Sequence, residues 1–214
     1  MNFLRRWAHR DAREAHDAWR WVVIDTETTG LDPDADALLA IGGVGVDARG
    51  IRAEDSFEVV VRHAGSLDAA NVVVHWLGRE TLDSGVPAGV ALDALQRWTN
   101  GAPCVGFHSE FDRRVLDRAA KLAGMPRVAG PWLDLAPLAA LLHPEVPNKG
   151  SGALDDWLAA LQIVCASRHN AASDALASAE LLLALRSLAA MQGARRFDEL
   201  VALTRSGRWL GHRA

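Results

Sequence analysis

Short apolar runs separated by polar turns fill the first half of the chain, and longer stretches with helical spacing fill the second half. A run of Trp, Val, Val and Ile at 21–24 predicts a buried strand. Further strands are predicted at 38–46, 57–61 and 103–107, and helices at 77–82, 90–98, 111–122, 134–142, 154–161 and 171–188. Three early strands followed by alternating strands and helices predict an α/β domain with a mixed sheet flanked by helices.

The two ends of the chain differ in composition from the middle. Residues 1–20 are rich in arginine and have apolar residues spaced for one helical face, which predicts an N-terminal helical extension. Residues 21–190 are predicted to form the main domain, and the arginine-rich residues 191–214 a C-terminal appendage. We expect neither a secretory signal nor a membrane span, since no apolar run approaches the roughly 20 residues that a span needs.

Composition narrows the class of protein further. With 50% apolar residues, 23% charged residues and a net charge of −4, the chain is typical of a soluble globular protein. The negative charge argues against a broad basic surface for nucleic acid, but it leaves room for a small metal-assisted site. Cys104 and Cys165 lie among apolar neighbours, and we interpret them as reduced thiols of a cytoplasmic protein.

A pair of carboxylates follows the first predicted strand. Side chains alternate along a strand, so Asp25 and Glu27 are expected to point the same way. Burial of two adjacent carboxylates is costly unless a cation compensates. Hard divalent cations such as Mg²⁺ prefer such oxygen ligands, so this pair is a candidate metal site.

Two further sites are predicted at helix starts. Asp112 falls in the first turn of the helix that follows the strand at 103–107. Asn170 is a predicted N-cap, which places His169 just outside the long helix and Asp174 one turn inside it. Each signal alone has a simpler explanation, since acidic residues stabilise helix N-termini and most histidines are structural. Ligand sites in α/β sheets nevertheless favour the carboxyl ends of strands, where Asp112 is predicted.

Taken in order, these motifs resemble the DEDD exonuclease superfamily, His subtype, which includes the proofreading epsilon subunits of bacterial DNA polymerase III. The matching residues are Asp-Thr-Glu-Thr-Thr-Gly-Leu at 25–31, Phe111-Asp112, His169 and Asp174. The resemblance implies a ribonuclease H-like fold. It also implies metal-dependent hydrolysis from the 3′ end of DNA that releases nucleoside 5′-monophosphates.

The resemblance also implies roles for the site residues. Two divalent cations, Mg²⁺ or Mn²⁺, about 3.5–4 Å apart can activate water and stabilise the leaving oxygen. Asp25 is expected to bridge both cations, Glu27 and Asp174 to complete one shell, and Asp112 to support the other. His169 is the expected general base, because an imidazole titrates near neutral pH.

Substrate contacts are implied as well. Thr26 and Thr28 are expected to approach the terminal nucleotide through their backbone, with Leu31, His75 and Phe111 around it. Ordinary core packing remains an alternative for Leu31 and Phe111. The expected partner is the 3′ end of single-stranded or frayed DNA, with a DNA polymerase or repair protein as a further partner.

Other functions remain open at this point. An exoribonuclease of the oligoribonuclease or ribonuclease T type has the same motifs, because RNA selection depends on contacts to the 2′-OH. A non-catalytic binding module with the nuclease fold is a second alternative, although such a module is expected to have lost a carboxylate or the histidine. A haloacid-dehalogenase-type phosphatase fits less well, since it requires an aspartate at the position of Glu27.

Overall fold

The structure, a computed structural model, describes residues 19–65, 77–146 and 152–210, with side chains described as far as residue 205. The strands are Arg20–Thr28 (β1), Leu38–Asp47 (β2), Gly50–Val60 (β3), Cys104–Gly106 (β4) and Trp132–Asp134 (β5). The helices are Arg79–Ser84 (α1), Ala88–Thr99 (α2), Ser109–Leu122 (α3), Leu135–Leu142 (α4), Leu154–Ala160 (α5), Ala171–Met191 (α6) and Phe197–Leu210 (α7).

The five strands form one mixed sheet in the order β3-β2-β1-β4-β5. The pairs β1–β2 and β2–β3 are antiparallel, whereas β4 and β5 are parallel to β1. Parallel neighbours need a long crossover, and α3 lies in the connection from β4 to β5. The predicted α/β fold with a mixed sheet flanked by helices is confirmed.

Side chains of β1 alternate between two apolar cores. Val22 and Ile24 belong to the core under α2 and α3, whereas Trp21 and Val23 belong to the core under α4, α5 and α6. All four are almost fully buried, as expected for the central strand of a sheet covered on both faces. The same alternation directs Asp25 towards the α6 side of the sheet.

Helix α6 lies directly against β2 at Gly42. A Cβ atom on Gly42 would lie 2.2 Å from the carbonyl carbon of Ala171 and from the amide nitrogen of Ala172. Gly42 is also the residue of β2 that pairs with Asp25. The contact brings the start of α6 to the end of β1.

The segment after α6 packs on the main core. Helix α7 contacts α4 and β5, Leu200 is fully buried, and the Phe197 ring meets the Trp21 ring edge-on at 5.3 Å. Residues 1–18 of the predicted N-terminal extension lie outside the described residues. The boundaries at residues 20 and 190 stay predictions.

Two other features of the sequence can be compared with the structure. Cys104 is buried, Cys165 is partly buried, and neither forms a disulfide. Among the described residues, no helix has both the length and the apolar character that a membrane span would require.

Candidate active site

Three carboxylates converge at the end of β1. One oxygen from each of Asp25, Glu27 and Asp174 lies within 4.8 Å of the others. Glu27 and Asp174 are buried, and Asp25 is partly buried. Strand alternation supplies the first two side chains, and the close approach of α6 at Gly42 supplies the third. The structure thus brings together three of the predicted site residues.

Asp112 reaches the same place from the other face of the sheet. It lies in the first turn of α3, is buried, and accepts a hydrogen bond of 2.7 Å from the Thr26 hydroxyl. Thr26 points away from Asp25 along β1, which explains why Asp112 is not one of the three converging carboxylates. Asp112 nevertheless lines the same cavity, and its charge contributes to raising the pKa of Asp25.

Asp25 and Asp112 hold their protons more tightly than exposed aspartates do. Burial raises the pKa of Asp25 well above its ordinary value, and the charges of Asp112, Asp174 and Glu27 raise it further. Burial raises the pKa of Asp112 to about 7, although hydrogen bonds from Thr26 act in the opposite direction. Closely spaced carboxylates repel one another, and a bound cation would relieve this repulsion. Their oxygen atoms are suitable ligands for hard divalent cations such as Mg²⁺ or Mn²⁺.

His169 lies in the turn before α6 and lines the cavity. Its φ of 59° is in the left-handed region, which is unusual for a residue other than glycine. Its amide donates a hydrogen bond of 3.0 Å to Asp174 Oδ2, and Asn170 caps the helix by accepting one from the Ser173 amide, as predicted. Non-glycine residues in sparsely populated backbone regions cluster at functional sites.

Arg168 is a charged residue of the site that the sequence analysis did not single out. Its guanidinium pairs with Asp174 and with Asp155 on α5. Burial lowers the pKa of Arg168, but hydrogen bonds to the two carboxylates outweigh this effect and raise it overall. Its position directly before His169 in the sequence is the one signal that could have indicated it.

A cavity of about 580 Å³ opens beside these groups. Thr26, Thr28, Leu31 and Phe111 line it, whereas His75 lies outside the described residues. Leu31 is 93% exposed, which rules out core packing for this side chain. Phe111 is partly buried and packs against the core under α2 and α3. Their contacts to a nucleotide stay predictions.

The fold and the site together define a class: an α/β protein whose central strand ends in a carboxylate cluster suited to divalent cations. Comparison of the sequence with known families gives the narrower assignment. Residues 22–182 match the RNase T family of exonucleases, and the chain belongs to this family. The predicted membership of the DEDD exonucleases is confirmed.

Curated relatives include bacterial proteins that are named for DNA polymerase III. The chain is 28% identical over 182 residues to the PolC-type DNA polymerase III of Lacticaseibacillus paracasei, a match that covers 84% of this chain and 12% of that protein. It is 28% identical over 191 residues to a DNA polymerase III subunit epsilon-like protein of Rhodobacter capsulatus, covering 88% and 27%. The chain therefore spans a small part of the length of these relatives.

Two solved structures of exonucleases have the same fold as this chain. Exonuclease X in complex with 5′ overhanging duplex DNA superposes with a TM-score of 0.66 at 18% identity, covering 86% of this chain and 99% of that one. The zinc-bound complex of Escherichia coli exonuclease I with single-stranded DNA gives 0.69 at 16% identity, covering 86% and 43%. These similarities confirm the ribonuclease H-like fold.

Proposed function

We propose that the protein is a metal-dependent 3′→5′ exonuclease that removes nucleotides from the 3′ end of DNA as nucleoside 5′-monophosphates. The observation that carries this proposal is the convergence of Asp25, Glu27 and Asp174 within 4.8 Å beside an open cavity. The family is one of exonucleases, and both relatives described above are named for DNA polymerase III. A DNA polymerase is accordingly the partner that we propose.

The acidic residues would hold two divalent cations, Mg²⁺ or Mn²⁺. Asp25, Glu27 and Asp174 form the converging group, and Asp112 would complete it from the α3 side. Cations bound there lower the pKa of water and offset the charge of the phosphodiester. The hydrogen bond from the Thr26 hydroxyl fixes the orientation of the Asp112 carboxylate.

His169 would act as the general base. Its place on the cavity wall, next to Asp174, suits a ring nitrogen that takes the proton of the attacking water. The hydrogen bond from the His169 amide to Asp174 ties this backbone to a proposed cation ligand. The exposed Leu31 and the partly buried Phe111 would contact the terminal nucleoside on the wall of the same cavity.

One panel of substrates tests polarity and polymer together. The substrates are a 5′-labelled 20-nucleotide single-stranded DNA, matched and mismatched duplexes of that strand, and an RNA of the same sequence, each with Mg²⁺, Mn²⁺ or excess chelator. We expect a ladder of labelled products that shortens from the 3′ end of DNA, faster on single strands and mismatched ends. Chelator should abolish it.

A matched pair of variants tests the site. Asp25→Asn removes one charge from the converging group and should reduce the rate by at least about 10²-fold, since a cation ligand supplies several kcal/mol of stabilisation. Asp93→Asn makes the same change on the exposed surface of α2 and should leave the rate unchanged. Early release of the labelled nucleotide would refute the polarity, and faster decay of RNA would refute the DNA preference. An active Asp25→Asn variant would refute the site.

A further inference from the structure

A second groove, of about 800 Å³, runs along the outer surface of α3. It is lined by five cationic side chains: Arg113, Arg114, Arg118, Lys121 and Arg127. Three carboxylates also line it: Asp34, Glu110 and Asp117. The groove therefore has two more positive than negative groups, in a chain whose net charge is −4. Positive charge is concentrated locally although the whole protein is acidic.

The groove begins next to the catalytic cavity. Glu110 in the first turn of α3 lines the groove, while its neighbours Phe111 and Asp112 line the cavity. Asp34 lines the groove from the loop after β1, and Leu31 of the same loop lines the cavity. The two depressions therefore share the start of α3 and this loop, so that a chain leaving the cavity meets the groove.

Two of the five cations hold this loop in place. Arg114 forms an ion pair with Asp34, and Arg118 donates a hydrogen bond of 2.9 Å to the carbonyl oxygen of Asp36. Arg113 pairs with Glu110 at 2.6 Å. Lys121 is exposed, and Arg127 is 76% exposed and lies 3.6 Å from Asp117. The distal pair, Lys121 and Arg127, can therefore bind a ligand without releasing the loop.

The distal end of the groove also offers apolar surface. Leu122 is 73% exposed, and Met125 and Pro126 line the groove beside it. A cationic rim beside apolar side chains suits a polymer that has phosphates on one side and bases or sugars on the other. Arg113 and Lys121 are eight residues apart, or about 12 Å along the helix. The cationic side chains therefore extend along about two turns of the helix.

We propose that this groove binds the phosphates of the nucleic-acid strand on the 5′ side of the bond to be cut, with Lys121 and Arg127 as its distal contacts. The proposal rests on the proposed exonuclease function, since the 3′ end must occupy the catalytic cavity. It adds the path of the strand, which follows α3 away from the metal site.

The test compares two double variants with equal loss of charge. Lys121→Gln/Arg127→Gln neutralises the distal contacts. Arg49→Gln/Arg196→Gln neutralises two exposed arginines outside the groove, one in the β2–β3 turn and one just before α7. Each is assayed on a dinucleotide, which reaches only the cavity, and on 20-nucleotide single strands of DNA and of RNA. Binding of the 20-nucleotide strands is also measured by fluorescence anisotropy between 50 and 200 mM salt.

We expect the groove variant to bind the 20-nucleotide strand roughly 10- to 30-fold more weakly at 0.1 M salt, since each lost contact forfeits the release of about 0.7 counterion. The slope of log affinity against log salt should fall by about 1.4. Cleavage of the dinucleotide should not change, and the control variant should match the wild type throughout. If the groove variant binds only one of the two polymers more weakly, that polymer, DNA or RNA, is the one that the groove binds.

Equal affinity and equal salt slope for the groove variant and the wild type would overturn the proposal. A loss of dinucleotide cleavage as large as the loss on the long strand would also overturn it, because the change would then act through the cavity. If the wild type cleaves no substrate, the proposed function fails, and anisotropy still decides whether the groove binds a strand.

Discussion

Replacement of Gly42 by alanine tests whether the contact between β2 and α6 builds the site. Gly42 pairs with Asp25 across the sheet, and its missing side chain admits the backbone of Ala171. The new Cβ would lie 2.2 Å from backbone atoms of the helix. Backbone cannot rotate away as the end of a flexible side chain can, so the first turn of α6 has to move.

The size of the movement follows from the contact. Carbon atoms in contact are about 3.5–4.0 Å apart, so the start of α6 must move by roughly 1.3 Å or more. Asp174 and His169 lie at that end of the helix, and a misplacement of about 1 Å can cost 10²-fold in rate. Overpacking of this kind costs typically 1–3 kcal/mol of unfolding free energy, so the variant should still fold.

The assay measures kcat on single-stranded DNA, the affinity for Mn²⁺ and the thermal unfolding midpoint. Gly42→Ala should lose about 10²-fold in kcat, bind Mn²⁺ more weakly, and unfold about 2–12 °C lower. Gly89→Ala is the matched control, because a Cβ there would meet the nearest atoms at 3.7 and 3.8 Å in ordinary contact. That control should keep full activity and gain up to about 1 kcal/mol, since alanine favours a helix over glycine.

Wild-type kcat and Mn²⁺ affinity in Gly42→Ala would refute the reasoning, because they would show that α6 does not set the geometry of the site. A similar loss in the Gly89→Ala control would refute it as well.

Three further predictions concern the charges of the site. His169→Asn should reduce kcat by about 10²–10⁴-fold while thermal unfolding changes little, because asparagine tolerates the left-handed backbone; near-wild-type activity would exclude a general base. Arg168→Gln should tighten Mn²⁺ binding several-fold in calorimetry, since the guanidinium competes for Asp174; weaker binding would contradict this. The metal-free protein should lose roughly 2–4 kcal/mol of unfolding free energy between pH 5 and pH 8. Burial raises the pKa of Asp112 to about 7, so in this window the folded state retains protons that the unfolded state has lost, and stability falls as pH rises. Urea unfolding in chelator should show this slope and Asp112→Asn should reduce it, whereas a flat wild-type profile would contradict the argument.

Those parts of the fold and of the site that depend on residues close together in the sequence could be predicted. The run at 21–24 identified β1, and Asn170 marked the start of α6 because a cap is a contact over three residues. The placement of Asp25 and Glu27 on one side followed from alternation along a strand. Position relative to the helix start likewise indicated Asp112 in the first turn of α3.

Features set by tertiary packing could not be predicted in the same way. β5 has three residues, Trp132–Asp134, too few for an alternating pattern. The helix Phe197–Leu210 falls in the segment interpreted only as an appendage, and its docking on α4 leaves no local signal. The pairing of Arg168 with Asp155 joins residues 13 positions apart, so the composition of either segment does not indicate it.

The site needs β1 to be longer than its parallel neighbour. Pairing of β1 with β4 ends at Val23, so α3 can begin directly beyond β4 and Asp112 can reach Thr26 past the end of that short strand. The turn that makes this possible passes through His108 at a φ of 56°, and the His108 amide donates a hydrogen bond of 2.9 Å to Asp134 Oδ1. Asp134 is the last residue of β5 and also caps α4. Strand β5, which the sequence pattern does not reveal, therefore fixes the turn at His108. This turn then places Asp112 at the site.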